Sequence, residues 1–151
     1  MDNDHGVSVR AIIIQNNRLL VEWWEPDKVC FPPGGRIQGA ESFEQALKRE
    51  LFEELATDQI QPGRYLGKVL SIWQAGESRN RSLSHYYSCC WPQANTRLKP
   101  RAGEAGREFR WILLSDLRKN RLVPPLLCDL VPTLQDPALN TEWNFTVHDN
   151  F

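Results

Sequence analysis

The chain has 151 residues, 25% of them charged and 41% hydrophobic. That is the size and balance of an ordinary globular domain able to bury a core, and it excludes a disordered segment. The formal net charge is −1, which excludes the broad basic footprint used to grip duplex nucleic acid. The opening MDNDHGVSVR lacks the charged-then-apolar order of a signal peptide. No apolar run approaches the ~18 residues of a membrane span, so a cytoplasmic enzyme with no membrane segment is expected.

Val7 to Ile14 is dense in β-branched residues and reads as a buried strand. Gln15-Asn16-Asn17-Arg18 reads as a tight turn, because Asn tolerates the positive φ that such turns demand. Leu19 to Trp24 returns as the second strand of a hairpin. A loop follows with two groups of breakers, Pro26 and then Phe31-Pro32-Pro33-Gly34-Gly35.

Ser42 to Ala56 reads as a helix. Ser42 suits the N-cap and Gln45, three residues on, completes a capping box. Phe43, Leu47, Leu51 and Leu55 form one apolar stripe. Gln61-Pro62-Gly63 is expected to break the chain. Tyr65 to Trp73 and Leu83 to Trp91 read as strands separated by a polar turn from Gly76 to Arg81.

Thr96 to Gly106 reads as a loop and Phe109 to Leu114 as a short strand. Ser115 is the expected N-cap of a small helix through Leu117, and Pro124 to Leu130 is expected to hold a last helix. In the tail from Gln135 to Phe151, Trp143, Phe145 and Val147 alternate as an edge strand or a docking arm would. No repeat, low-complexity tract or linker interrupts the chain. One α/β domain over residues 1–151 is the simplest reading.

The four cysteines, Cys30, Cys89, Cys90 and Cys128, form no C-x-x-C pair and lack zinc-ligand spacing, so small buried reduced thiols are expected. His85 reads as a half-buried strand residue. The aromatic faces of Trp23, Trp24 and Trp73 could stack on a base, although core and interface packing is the favoured reading of each. Arg10, Arg36 and Lys48 could meet phosphates or serve as surface charges.

The stretch richest in chemistry runs from Gly34-Gly35 through Arg49-Glu50-Leu51-Phe52-Glu53-Glu54. Glu50, Glu53 and Glu54, at i, i+3 and i+4, project from one patch of helix. Helical glutamates usually make a solvated face. Glu54, however, lies three residues after Leu51 and seven after Leu47, beside the apolar stripe, where an unpaired charge is costly. A hard divalent cation, which prefers carboxylate oxygens, would explain it. Arg49, four residues before Glu53, is placed to pair with it.

Gly35, then Glu41 after five residues, Arg49-Glu50 after seven, Leu51 and Glu53-Glu54 resemble the Nudix box. Ala56 and Thr57 depart from it, where the box has glycine and an aliphatic residue. Glycine there suits a left-handed cap, so Ala56 suggests a different helix exit or mild strain.

The resemblance implies an α/β/α sandwich around a mixed β-sheet and metal-dependent hydrolysis of a phosphoanhydride bond. It implies Mg²⁺ or Mn²⁺ held by Glu50, Glu53 and Glu54, with Glu53, Glu54 and Arg49 as the catalytic group and Gly35 and Glu41 shaping loop and helix. Many members add a carboxylate from a later loop. Glu104 is the favoured match, with Glu108 and Glu77 behind it. The expected substrate is a nucleoside diphosphate linked to another moiety, or a nucleoside triphosphate, and a homodimer is a family-based expectation.

Two other classes compete. A nucleotide-binding or regulatory module would keep the fold and lose catalysis, with Ala56 and Thr57 its only support. A prenyl-diphosphate isomerase, a side branch of the family, needs an added catalytic cysteine, and Cys30 and Cys89 lie outside the box.

Overall fold

A computed structural model describes residues 2–139 and 141–149. Eight strands form one mixed sheet: β1 (Asp2–Gln15), β2 (Arg18–Trp24), β3 (Val29–Phe31), β4 (Gly34–Arg36), β5 (Gln61–Ala75), β6 (Ser78–Cys90), β7 (Glu108–Leu113) and β8 (Trp143–Asp149). The main path runs β3-β2-β1-β6-β5-β8, with β4 paired to β1 and β7 to β2. β1 runs parallel to β6 and β8 parallel to β5, and the other pairs are antiparallel.

Among the described residues, two α-helices cover the two faces. α1 (Phe43–Leu55) places Ala46, Leu47, Leu51 and Leu55 against Val9, Ala11, Ile13, Leu20, Phe109 and Trp111. α2 (Leu127–Thr133) places Leu127 and Val131 against Ile12, Leu19, Val21, Val69 and Ile112 on the other side. The alternation of β1 explains this division, since residues 9, 11 and 13 face α1 while residue 12 faces α2. The expected sandwich around a mixed sheet is present.

The sheet is split where the Gly-rich loop enters. β1 and β2 pair only beside their turn, at Ile14↔Leu19 and Gln15↔Arg18. Asn16 and Asn17 supply the positive φ values that this turn needs, 50° and 61°. Beyond it the two strands diverge. The Ala11 N–H then donates to the Pro33 carbonyl at 2.8 Å, and β4 takes over the edge of β1, with Val9 opposite Gly35 and Arg10 opposite Gly34. The glycine pair is thus wedged between β1 and β2, directly below α1.

Several local expectations need correcting. The breaker-rich loop before α1 contains the short strands β3 and β4; β3 folds back on the adjacent β2, and β4 pairs with the distant β1. Gln61-Pro62-Gly63 does not break the chain. It opens β5, where register shifts absorb the proline. The polar turn shrinks to Gly76-Glu77, and Arg79, Asn80 and Arg81 belong to β6. Ser115 is no N-cap, because it lies inside a 3₁₀ turn, Leu114–Asp116, whose cap position is Leu113. The last helix begins three residues later than expected, because the Pro124 and Pro125 carbonyls serve as acceptors for its first turn.

β8 occupies the edge of the sheet with Trp143 buried beside β5. The reading of the tail extends to Asn150 and Phe151, which lie outside the described residues. All four cysteines are free. Among the described residues, no helix is long and apolar enough to cross a membrane.

Candidate active site

α1 starts as its sequence dictates. The Ser42 hydroxyl accepts from the Gln45 N–H at 3.1 Å, and the Gln45 side chain accepts from the Ser42 N–H at 2.8 Å. The helix ends at Ala56, which is left-handed at φ 51° and ψ 38°, with its N–H donating to Phe52 O at 2.9 Å. Of the two expectations for Ala56, mild strain is correct. The exit is the one glycine would make, so this departure leaves the carboxylates where the helix puts them.

The three helical glutamates have different surroundings. Glu54 is buried within the apolar face of α1. One of its oxygens accepts from the Gly34 N–H at 3.3 Å, and the other faces Arg107 at 3.4 Å. Burial, then the neighbouring charge of Glu22, push its carboxyl up to about 8, with Arg107 and Arg10 opposing. The Glu50 side chain is nearly buried at the cleft wall, directly beside Gly35. Glu53 is exposed and lies outside the cleft lining.

Arg49 is the organiser of the outer half. Its guanidinium reaches Glu41 at 2.7 and 3.0 Å, Glu50 at 2.9 Å and Arg36 O at 3.0 Å. The expected pairing with Glu53 exists but is the longest of these contacts, at 3.3 Å. Glu41 has a second donor in the Gln38 N–H at 2.8 Å. Arg49 first, and that N–H second, hold its carboxyl below the usual range. One arginine thereby ties the loop to the helix.

A cleft of about 600 Å³ opens above the split in the sheet. It is lined by Glu22, Glu50 and Glu104 together with Arg10, Arg36, Arg107 and the Gly34-Gly35 backbone. Of the later-loop carboxylates, Glu104 lies in this cleft. Glu108 begins β7 and is occupied by Lys99 and Arg110, and Glu77 sits at the tip of the β5–β6 hairpin. Lys48 is an exposed residue outside the cleft lining.

Glu22 and Arg107 escaped the sequence reading. Glu22 is a buried acid on β2, opposite Phe109, on the face that α1 covers. Arg107 donates to Glu22 at 2.6 Å and to Glu104 at 2.8 Å as well as facing Glu54. A carboxylate inside the apolar run Leu19 to Trp24 was the available signal, because burying it demands a partner.

A second cavity of about 650 Å³ adjoins the cleft through Arg10, Trp24 and Phe31. Trp24 and Trp73 stand on its walls, with Ser71, Ser82 and Ser84 among its polar groups. Trp23 instead lies under the Arg110 guanidinium, 4.2 Å from its ring centre, and also borders the cleft. His85 is stacked on Phe43 and within 2.7 Å of the Tyr65 hydroxyl, and it lines neither cavity.

The donor set suits a hard divalent cation. Carboxylate oxygens approach the site from β2, α1 and the loop before β7. The most deeply buried of them, Glu54, has only long contacts to its donors. Among the described residues, no three His, Cys, Asp or Glu side chains are already gathered as a metal cage.

The NUDIX domain model matches residues 4–128, and the chain belongs to the Nudix family. Its fold is similar to that of the MutT Nudix hydrolase from Burkholderia pseudomallei, at 25% identity over 78% of this chain and 87% of that one, with a TM-score of 0.53. It is also similar to the dihydroneopterin triphosphate pyrophosphohydrolase of E. coli, at 14% identity, 84% and 92% coverage and a TM-score of 0.62. The C. elegans Ap4A hydrolase matches at 16% identity, 85% and 95% coverage and a TM-score of 0.57. No match was found among curated proteins. The chain is a Nudix pyrophosphohydrolase, an enzyme acting on phosphorus-containing acid anhydrides.

Proposed function

We propose that the chain hydrolyses the phosphoanhydride bond of a nucleoside diphosphate linked to another moiety, or of a nucleoside triphosphate, by attack of water on phosphorus. The carrying observation is that Glu50 from α1, Glu22 from β2 and Glu104 from the later loop line one cleft bordered by arginines, with the buried Glu54 of α1 tied to Glu22 and Glu104 through Arg107. Glu50, Glu53, Glu54 and Glu104 would hold Mg²⁺ or Mn²⁺. Such an ion offsets phosphate charge and makes a bound water nucleophilic near neutral pH.

The chain's own residues do the rest. Arg49 holds the Glu50 and Glu53 side chains in place. Arg10 and Arg36 offer positive charge at the cleft mouth for phosphate oxygens. As the alternative to a ligand role, Glu104, exposed in part and paired with Arg107, would orient a water and take its proton. Trp24 and Trp73 offer stacking faces for the organic part of the substrate in the adjoining cavity. The soluble nucleotide chemistry fits a cytoplasmic setting.

The test is hydrolysis of a panel in ¹⁸O-labelled water with Mg²⁺, with Mn²⁺ and with EDTA. The panel holds nucleoside triphosphates, ADP-ribose, nucleotide sugars, dinucleoside polyphosphates and a capped RNA. Metal-dependent turnover of one class, with ¹⁸O in a phosphate product, supports the reading. Turnover of none overturns it.

A further inference from the structure

Arg107 is the one cation in direct contact, among the described residues, with both of the deeply buried carboxylates, Glu22 and Glu54. It also pairs with Glu104 through a different nitrogen. Three carboxylates from three separate elements therefore share one guanidinium. Two buried carboxyl groups side by side are costly when both are charged, so the pair is relieved by a proton on one of them or by a cation, and Arg107 is the cation that reaches both. Two of the carboxylates that Arg107 engages, Glu54 and Glu104, are among the groups that would bind a divalent ion.

The local structure suits exchange of one cation for another. The loop is anchored at Gly103, whose N–H donates to Glu54 O at 2.7 Å, and again at Glu108, which pairs with Trp23 on β2. Arg107 lies just before the second anchor and keeps a third of its side chain exposed. The side chain can leave by rotation about its own bonds while the loop backbone stays pinned. A guanidinium is a planar fork matched to phosphate oxygens, so an Arg107 released at the cleft mouth has an anionic partner when a diphosphate is present.

We propose that Arg107 is a built-in counter-ion of the metal-free enzyme: it competes with the divalent cation for Glu54 and Glu104, and metal binding releases it toward the substrate phosphates. This rests on the metal reading above. It makes Arg107 a positioning residue that sets metal affinity, and it couples metal occupancy to phosphate binding.

The test is direct Mn²⁺ binding, by calorimetry and by electron paramagnetic resonance, on metal-free wild type, Arg107→Gln and Arg107→Lys. Removing the competitor in Arg107→Gln is expected to tighten Mn²⁺ about tenfold or more. Arg107→Lys, which keeps the charge, is expected to stay near wild type. As a check that needs no variant fold, the wild-type Arg107 Nε–H resonance should shift during a Mg²⁺ titration with the same saturation as metal binding. Unchanged or weaker Mn²⁺ affinity in Arg107→Gln, or an unmoved Nε–H signal in metal-loaded wild type, overturns the counter-ion role while leaving the metal site standing. Absence of Mn²⁺ binding in all three proteins overturns both.

Discussion

Gly35 lies against Glu50 so closely that a β-carbon on the glycine would stand 2.4–2.6 Å from the Glu50 carboxylate atoms. The strand edge and the helix therefore meet through a missing side chain, and that absence fixes where a cleft carboxylate rests. Gly35→Ala would push aside the end of a flexible side chain, not backbone. Melting temperature should change little, whereas metal affinity or turnover should fall by about 10–100-fold, as when a ligand loses its support. Calorimetric metal binding beside a thermal melt checks both halves.

Gly34→Ala should behave in the opposite way. Its φ is 149°, and an added β-carbon would meet Val9 O at 2.0 Å and Arg10 Cα at 2.9 Å, all rigid β1 backbone. A loss of at least about 2 kcal/mol is expected in urea unfolding. A wild-type midpoint would contradict the packing of β4 on β1.

Glu41 acts through Arg49. Glu41→Gln removes the charge that receives the arginine at 2.7 and 3.0 Å and leaves Glu50, Glu53 and the Arg36 carbonyl to hold it. Turnover should fall by about 10–100-fold while the fold persists, measured by steady-state kinetics and circular dichroism.

Ala56 is left-handed, a conformation that costs a residue with a β-carbon about 1 kcal/mol or more. Ala56→Gly should therefore stabilise the protein by roughly 0.5–1 kcal/mol with activity retained, as a denaturant titration would show. Destabilisation would mean that the Ala56 methyl contributes packing that outweighs the strain.

The buried Glu54 carboxyl, raised to about 8, makes stability depend on pH in a definite direction. Between about pH 4.5 and 8 the folded state keeps a proton that the unfolded chain releases, so stability falls as pH rises through this window. In EDTA the effect should amount to a few kcal/mol at most, and Glu54→Gln should flatten it. A metal-free melting temperature that rises from pH 5 to 8 would contradict the burial described for Glu54.

Much of this was legible from local patterns. The apolar stripe and the Ser42–Gln45 box locate α1, and the Asn pair locates the first turn. The spacing from Gly35 to Glu54 picks out the outer cluster. What escaped depends on pairing partners that no local pattern reveals. β3 and β4 are too short to show a period and exist only because β2 and β1 pair with them. Pro62 is tolerated in β5 because a register shift receives it. Glu22 looks like a stray charge until α1 brings Glu54 over it. Arg107 looks like an ordinary loop cation until both carboxylates are beneath it.

The most direct measurement is metal-supported hydrolysis by Glu54→Gln beside wild type, on whichever substrate the panel identifies, with both proteins shown to be folded. The amide keeps the shape of the buried side chain and removes its negative charge. Loss of turnover by a factor of about 10² or more is expected if the buried carboxylate belongs to the reacting site. Turnover within a fewfold of wild type would mean that Glu54 is only a structural acid, and the cleft would need a different chemistry.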